Sequence, residues 1–166
     1  MILIICWTKA LILVKCPDKN SMNVYDSLTD KDIVRKVNEI FYDKIYDHPW
    51  MSLYFKEIDK EFITKQQTDF IIGALGGPKK YGGRMPSNAH THMVITDELF
   101  DLRQQLLIEA LNEAHAPEIL TNFWLKIDEA FRGAIVQSDP SQCKPRYATD
   151  EILNFPNPLT SLKKAS

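Results

Sequence analysis

The strongest fold signals lie in residues 70–96, FIIGALGGPKKYGGRMPSNAHTHMVIT, of this 166-residue chain. The first part of this stretch continues a helical apolar pattern, which the Gly-Gly-Pro at 76–78 ends because glycine and proline disrupt helices. The glycines of the following loop deny it regular structure, and Pro86 is placed to open a short helix that carries His90. We therefore predict a long helix, a loop and a short helix in this order.

Helical patterns extend on both sides of this stretch. Four long segments have apolar residues at the spacing of one helix face, and each begins with residues that favour helix N-termini. The predicted starts are Thr29 with Asp32 in a capping-box arrangement, Asp59, Thr96 and residues 116–118. The sequence has no internal repeat and no convincing strand pattern, so the predicted fold class is all-α.

Composition and charge bound the class of protein. Apolar residues make up 45% of the chain, charged residues make up 25%, and the formal net charge is −2. This is a globular composition without a basic block for binding phosphates, which excludes nucleic acid as a partner. The apolar opening of the chain is split by Lys9 and falls short of the ~20 residues that span a membrane, so a membrane protein is not expected.

The chain length predicts one domain with two extensions. The domain is expected at residues 22–137, after an N-terminal extension at 1–21 and before a polar, proline-rich C-terminal tail at 138–166. The tail either packs over the domain through residues 152–155 or stays mobile. The three cysteines form no C-x-x-C pair, which favours a reducing cytoplasm as the location.

Two polar side chains occur at unexpected places in the apolar patterns. Gln67 shares one helix face with Ile63 and Phe70, and a buried amide without partners costs about 1–3 kcal/mol. Tyr42 follows Phe41 at the edge of another apolar face. Each side chain either bonds a nearby backbone group or water, or points into a cavity to meet a ligand. The patterns alone leave both interpretations open.

The pair His90 and His92 raises the question of a metal site. Two residues apart on a helix they face opposite sides, so only one can enter a core, whereas on a strand both face the same side. A zinc site needs a third and usually a fourth ligand, and none stands at a motif spacing to this pair. Zinc binding is therefore an alternative to a structural role for these histidines.

Several short motifs follow one another in a characteristic order. They are YDSL at 25–28, IFYDKI at 40–45, LYFKEID at 53–59, the stretch at 70–96, and ELFD at 98–101. In order and spacing they resemble the truncated haemoglobins, most closely the short-chain group I type, over about two-thirds of the chain. The resemblance implies a globin-like, truncated two-over-two helical sandwich and a haem b cofactor, which is iron protoporphyrin IX.

The resemblance also implies roles for individual residues. His90, which follows an alanine, would bind the haem iron, and His92 would lie on the opposite helix face at the surface. Tyr42 and Gln67 would donate hydrogen bonds to a diatomic ligand on the other side of the haem. The other implied haem contacts are Phe55, Ile63, Phe70, Lys80, Tyr81, Arg84, Met93 and Phe100.

The chain departs from many members of the resembled family on the helix that carries Gln67, which would lie on the ligand side of the haem. Ile63 stands where many of them have glutamine, so the ligand side is expected to be less polar. Gln66 stands where some have a histidine that can reach the sixth iron position. The resemblance with these departures implies an iron that is open or water-bound.

The implied function is reversible binding of dioxygen, and of NO or CO, for oxygen transport or NO detoxification. Detoxification would be an NO dioxygenase activity with a reductase partner, so the chain is either an enzyme or a carrier. Redox or peroxidase chemistry and gas sensing form a second class of function. A helical interaction module without haem forms a third.

Overall fold

Six α-helices make up most of residues 23–158, which are the residues that the computed structural model describes. The helices are α1 (Val24–Ser27), α2 (Ile33–Asp47), α3 (Lys60–Ala74), α4 (Pro86–Ala89), α5 (Asp97–Glu113) and α6 (Glu118–Ile135). Two 3-10 turns, Met51–Tyr54 and Pro140–Gln142, lie in the connections. The predicted N-terminal extension lies outside the described residues. Within 23–158 no helix has the length and apolar character needed to cross a membrane.

Local sequence signals set most helix ends. The Asp59 carboxylate caps α3 by accepting a hydrogen bond from the backbone N of Phe62 at 2.7 Å. The Thr96 hydroxyl caps α5 in the same way, at 3.2 Å from the backbone N of Leu99. Gly76, with φ of 95°, ends α3 in a left-handed conformation that glycine adopts without strain. The predicted starts of α3 and α5 are therefore confirmed.

The predicted start of α2 is wrong. Thr29 does not cap this helix, which begins at Ile33 after Asp32, and Asp32 makes no side-chain cap hydrogen bond. Instead the Asp30 carboxylate accepts a hydrogen bond from the backbone N of Asp32 at 2.8 Å. An aspartate that bonds the backbone two residues ahead closes a turn, and this turn replaces the expected first turn of helix.

The core forms where α2 meets both α3 and α5, and α6 packs against α4 and α5. These contacts place the four long helices around one apolar interior. Each large apolar side chain buried there contributes about 1.5–3 kcal/mol to stability. The largest fully buried apolar side chains are Trp124, Phe41, Ile45, Ile71, Leu75, Leu107, Leu111 and Leu120.

A buried polar contact fixes the orientation of α3 against α2. The Asn38 amide is fully buried and donates hydrogen bonds to the Thr68 hydroxyl at 3.0 Å and to the Val34 carbonyl at 3.2 Å. The Thr68 hydroxyl donates in turn to the Thr64 carbonyl at 2.8 Å. This contact turns the face of α3 with Thr64 and Thr68 towards α2. The adjacent face of α3, which carries Gln67, is therefore turned towards the interior.

The described part of the C-terminal tail packs on the domain. The backbone N of Val94 donates to the Leu153 carbonyl, and the backbone N of Leu153 donates to the His92 carbonyl, both at 2.8 Å. The Trp50 indole donates to the Phe155 carbonyl at 2.7 Å. Packing through residues 152–155, one of the two expectations for the tail, is therefore confirmed. The resulting parallel bridge is isolated, so the all-α class holds.

Candidate functional site

A cavity of about 230 Å³ is enclosed by side chains of α2 to α6 and the loops that join them. Ten of the eleven predicted site residues line it, namely Tyr42, Phe55, Ile63, Gln67, Phe70, Tyr81, Arg84, His90, Met93 and Phe100. The exception is Lys80, which is exposed in the loop that follows α3. The backbone N of Lys80 bonds the Pro78 carbonyl at 3.1 Å, and this tight turn leaves its side chain outside the cavity wall.

His90 follows the short helix α4 directly and lines the cavity. Its ring Nδ1 lies 2.7 Å from the Pro86 carbonyl oxygen, which can only accept a hydrogen bond. Nδ1 therefore carries the proton, and the Nε2 lone pair is left free. Burial lowers the pKa of His90 to about 4, so the ring is neutral at pH 7. A neutral imidazole whose second nitrogen is held by a carbonyl suits a metal ligand.

Tyr42 contributes a hydroxyl to the same cavity from α2. Its side chain is buried, and no described residue bonds the hydroxyl. The ring packs edge-on against Phe41 at 5.2 Å and against Phe55 at 6.0 Å between centroids. Burial raises the pKa of Tyr42 well above its usual value, so the hydroxyl stays protonated. It is an available hydrogen-bond donor inside an apolar enclosure.

Gln67 projects from α3 onto the cavity between Ile63 and Phe70. Its amide is half-buried and makes no hydrogen bond to any residue in 23–158. Gln66, its neighbour, also lines the cavity. The expectation that the Gln67 amide bonds a nearby backbone group is therefore wrong.

Tyr81 and Arg84 lie where the loop after α3 reaches the cavity. The Tyr81 ring packs edge-on against Phe70 at 5.1 Å between centroids, and its hydroxyl donates to the Arg84 carbonyl. A Cβ at Gly83 would lie 2.5 Å from the Tyr81 hydroxyl and 2.8 Å from Oε1 of Gln66. A larger residue at this position would therefore displace the Tyr81 ring or the Gln66 amide.

Sequence reasoning missed the pair Arg103 and Asp128, which also lines the cavity. The Arg103 guanidinium donates to an Asp128 carboxylate oxygen and lies 5.2 Å above the Phe41 ring. A signal was present, because Arg103 lies between Leu99 and Leu107 on the apolar face of α5. Asp128 lies in the same way on the apolar face of α6, and the two opposite charges together indicate a buried ion pair.

The prediction that His92 is a surface residue is wrong. Its side chain is only 3% exposed, and its Nδ1 has no hydrogen-bond partner. Residues 91–95 are not helical, and the tail covers them through Leu153, which is why a helical-face argument failed. His92 does not line the cavity with His90. Within residues 23–158 no group of three or more potential ligands could hold a metal ion, so the zinc alternative loses its support.

Comparison with known proteins gives the family. The family model "Bacterial-like globin" matches residues 23–137. This chain belongs to that globin family, and within it to the truncated haemoglobins. A "Group 1 truncated hemoglobin" of Tetrahymena pyriformis is 30% identical over 109 residues, which cover 66% of this chain and 90% of the relative. Another, from Tetrahymena thermophila, is 31% identical over 54% of this chain and 74% of its own.

Solved truncated haemoglobins share the fold. The crystal structure of truncated hemoglobin from Tetrahymena pyriformis in its Fe(III) form matches with a TM-score of 0.62 and 29% identity. The match covers 69% of this chain and 98% of that one. The predicted family and the predicted all-α globin fold are confirmed. Membership of the family implies a haem cofactor and the binding of diatomic gases such as oxygen.

The residues of the cavity fit a haem. His90 offers a free imidazole nitrogen, and Phe55, Met93 and Phe100 supply apolar wall. Arg84 offers a positive charge to the carboxylates that haem carries. Tyr42 offers a donor to a small ligand, and the cavity of this truncated haemoglobin thus contains each type of group that haem binding needs.

Proposed function

We propose that this truncated haemoglobin binds haem b through His90 and binds dioxygen reversibly. The observation that carries the proposal is the bond between His90 Nδ1 and the Pro86 carbonyl, because it leaves Nε2 as the only ring nitrogen free to bind a metal. The haem would supply an iron atom with an open position for a diatomic gas. Among the described residues that line the cavity, His90 is the only histidine.

Tyr42 and Gln67 act as donors in this proposal. Both lie on the cavity wall, and neither side chain has a partner among the described residues. A phenol that burial keeps protonated cannot become an anion that would repel a negatively polarised ligand. Each hydrogen bond to such a ligand in an apolar enclosure is worth about 1–2 kcal/mol, which slows ligand release by about a decade.

The same cavity argues against a protein-contact module without haem. A helical interaction domain gains nothing from an unpartnered tyrosine hydroxyl on a buried side chain, since a buried donor without a partner costs about 1–3 kcal/mol. A bound ligand would remove that cost at Tyr42 and would give the half-buried Gln67 amide a partner. Haem with a diatomic gas is the ligand that the family implies.

The test is an absorption spectrum of the purified protein, reduced with dithionite, before and after addition of CO. We expect a Soret band that shifts on CO addition, and we expect His90→Ala to lose it. His92→Ala is the matched control, because it removes a neighbouring imidazole outside the cavity. Haem loss in His92→Ala with retention in His90→Ala would overturn the assignment of the iron ligand.

NO and CO are the further ligands that we propose for the same position. NO detoxification would require a reductase to regenerate the reduced iron, and nitrate yield with and without an added reductase separates this enzyme activity from carriage. NO would also need a route to the iron past small side chains, and neither Gly73 nor Ala74 lines the cavity. Oxygen binding is therefore the primary proposal, and a cytoplasmic location stays a prediction.

A further inference from the structure

The C-terminal segment at residues 143–155 covers the part of the chain that follows His90. At its start the backbone N of Lys144 donates to the Thr91 carbonyl at 2.7 Å. Towards its end Leu153 is bonded on both sides to residues 92–94. The segment is therefore fixed beside the cavity at two points. It lies beyond residue 137, where the match to the globin family ends.

Arg146 is the residue of this segment that lines the cavity. Its side chain is held by Asp150, with Nε 2.8 Å and Nη2 3.3 Å from the two carboxylate oxygens. The backbone N of Arg146 donates to the same carboxylate at 2.8 Å. These bonds fix one edge of the guanidinium, and Nη1 makes no hydrogen bond to any residue in 23–158. Arg146 thus has a set orientation and free donors.

A second guanidinium lies close by. The Arg84 Cζ lies 4.4 Å from the centre of the Tyr147 ring, and the Arg146 Cζ lies 6.0 Å from the same ring. Arg84 forms no ion pair with any described carboxylate, and both arginines line the cavity. Two guanidinium groups next to one ring provide forked donors, which match the geometry of carboxylates.

We propose that Arg146 binds a haem propionate, so that residues 143–155 form part of the haem pocket. The inference rests on the proposed function, since the ligand it names is the carboxylate side of a porphyrin. Arg84 would supply an uncompensated positive charge from the loop after α3. Arg146 would supply oriented donors from the tail, because Asp150 already balances its charge.

A purely structural role for Arg146 is the competing explanation. In that case the arginine would only tie the tail to itself through Asp150, and haem would not contact it. The two roles differ in one respect that can be measured. A structural role affects any porphyrin in the pocket, whereas a propionate contact affects only a porphyrin with free carboxylates.

The experiment compares Arg146→Gln with the unchanged protein, each loaded with ferric haem and, separately, with its dimethyl ester. The rate of porphyrin loss is measured by transfer to excess apomyoglobin. We expect about tenfold faster loss of haem from Arg146→Gln, as for one charge-assisted hydrogen bond, and less than about twofold change with the ester. Arg35→Gln is the matched control, because Arg35 pairs with Glu39 on the outer surface of α2.

Equal acceleration with haem and with its ester would assign Arg146 a structural role and overturn the inference. No acceleration with haem would overturn it as well. Arg146→Lys guards against a folding defect, since it keeps the charge and loses the forked geometry, and we expect an intermediate rate with haem only. Failure of the proposed function has a different signature: the unchanged protein would bind no haem, or His90→Ala would bind it equally well. The absorption spectra of these two proteins distinguish that failure from a structural role of Arg146.

Discussion

Arg103 on α5 and Asp128 on α6 form an ion pair in the wall of the cavity. The Asp128 side chain is 8% exposed and the Arg103 side chain is 26% exposed. One carboxylate oxygen of Asp128, Oδ2, is buried without a partner. The guanidinium is therefore the main group that compensates a buried negative charge.

Arg103→Met is expected to destabilise the protein by about 2–4 kcal/mol, because it leaves the Asp128 carboxylate buried and uncompensated. The partial exposure of Arg103 keeps this value at the lower end for a buried pair. The double variant Arg103→Met with Asp128→Leu is expected to recover most of the loss, since it removes both charges. Urea unfolding followed by circular dichroism gives the free energies.

The pair Arg35 and Glu39 provides the comparison for that cycle. Both side chains are at least half exposed, so their coupling should be below about 1 kcal/mol. The coupling energy between Arg103 and Asp128 should exceed that between Arg35 and Glu39. If the two coupling energies were equal, the ion pair in the cavity wall would not compensate the burial of its charges.

Predictions from sequence succeeded where the determinant is local. The capping residues Asp59 and Thr96 act on backbone groups three residues ahead, so a short window of sequence contains the whole interaction. Motif order found ten of the cavity-lining residues because the chain keeps the spacing of its family. The site was predictable to the extent that it repeats a family pattern.

The predictions failed where distant segments meet. His92 is buried because Leu153, some sixty residues later, pairs with its backbone. Arg146 reaches the cavity because Lys144 bonds Thr91. No periodicity in residues 91–95 or 143–155 encodes which segment covers the other, so these features depend on the folded structure.

Tyr42→Phe is expected to speed the dissociation of dioxygen by about a decade. The substitution removes the hydroxyl donor from the cavity and leaves the ring contacts with Phe41 and Phe55 in place. Stopped-flow displacement of dioxygen by CO gives the rate. Tyr46→Phe is the control, because Tyr46 does not line the cavity and its hydroxyl is already bonded to the Ile58 carbonyl. An unchanged rate in Tyr42→Phe would remove Tyr42 from the ligand site.

Gly83→Ala is expected to loosen the mouth of the pocket and to speed haem loss several-fold. A Cβ at this position would lie 2.5 Å from the Tyr81 hydroxyl, which has to move together with its ring against Phe70. Gly82→Ala is a closely matched control, since nothing lies within 4 Å of a Cβ there. Haem transfer to apomyoglobin measures both rates. Equal rates for the two variants would mean that Tyr81 does not hold the cofactor.

Asp150 is expected to make the stability of the fold depend on acid pH. Its bonds with Arg146 lower the pKa of the carboxyl from 3.8 to about 2. The folded protein therefore keeps this carboxylate charged where the unfolded chain is already protonated. The stabilisation is complete above about pH 4 and is lost as the pH falls towards about pH 2.

Asp150→Asn should therefore flatten the fall in the urea midpoint over this pH range, and Arg146→Gln should flatten it to a similar extent because it removes the same pair. The curves of both variants are expected to approach that of the unchanged protein at the acid end. The measurement is a series of urea titrations at decreasing pH. If Asp150→Asn lost stability as steeply as the unchanged protein, the pair would not stabilise the folded tail, and the orientation of Arg146 at the cavity would need another support.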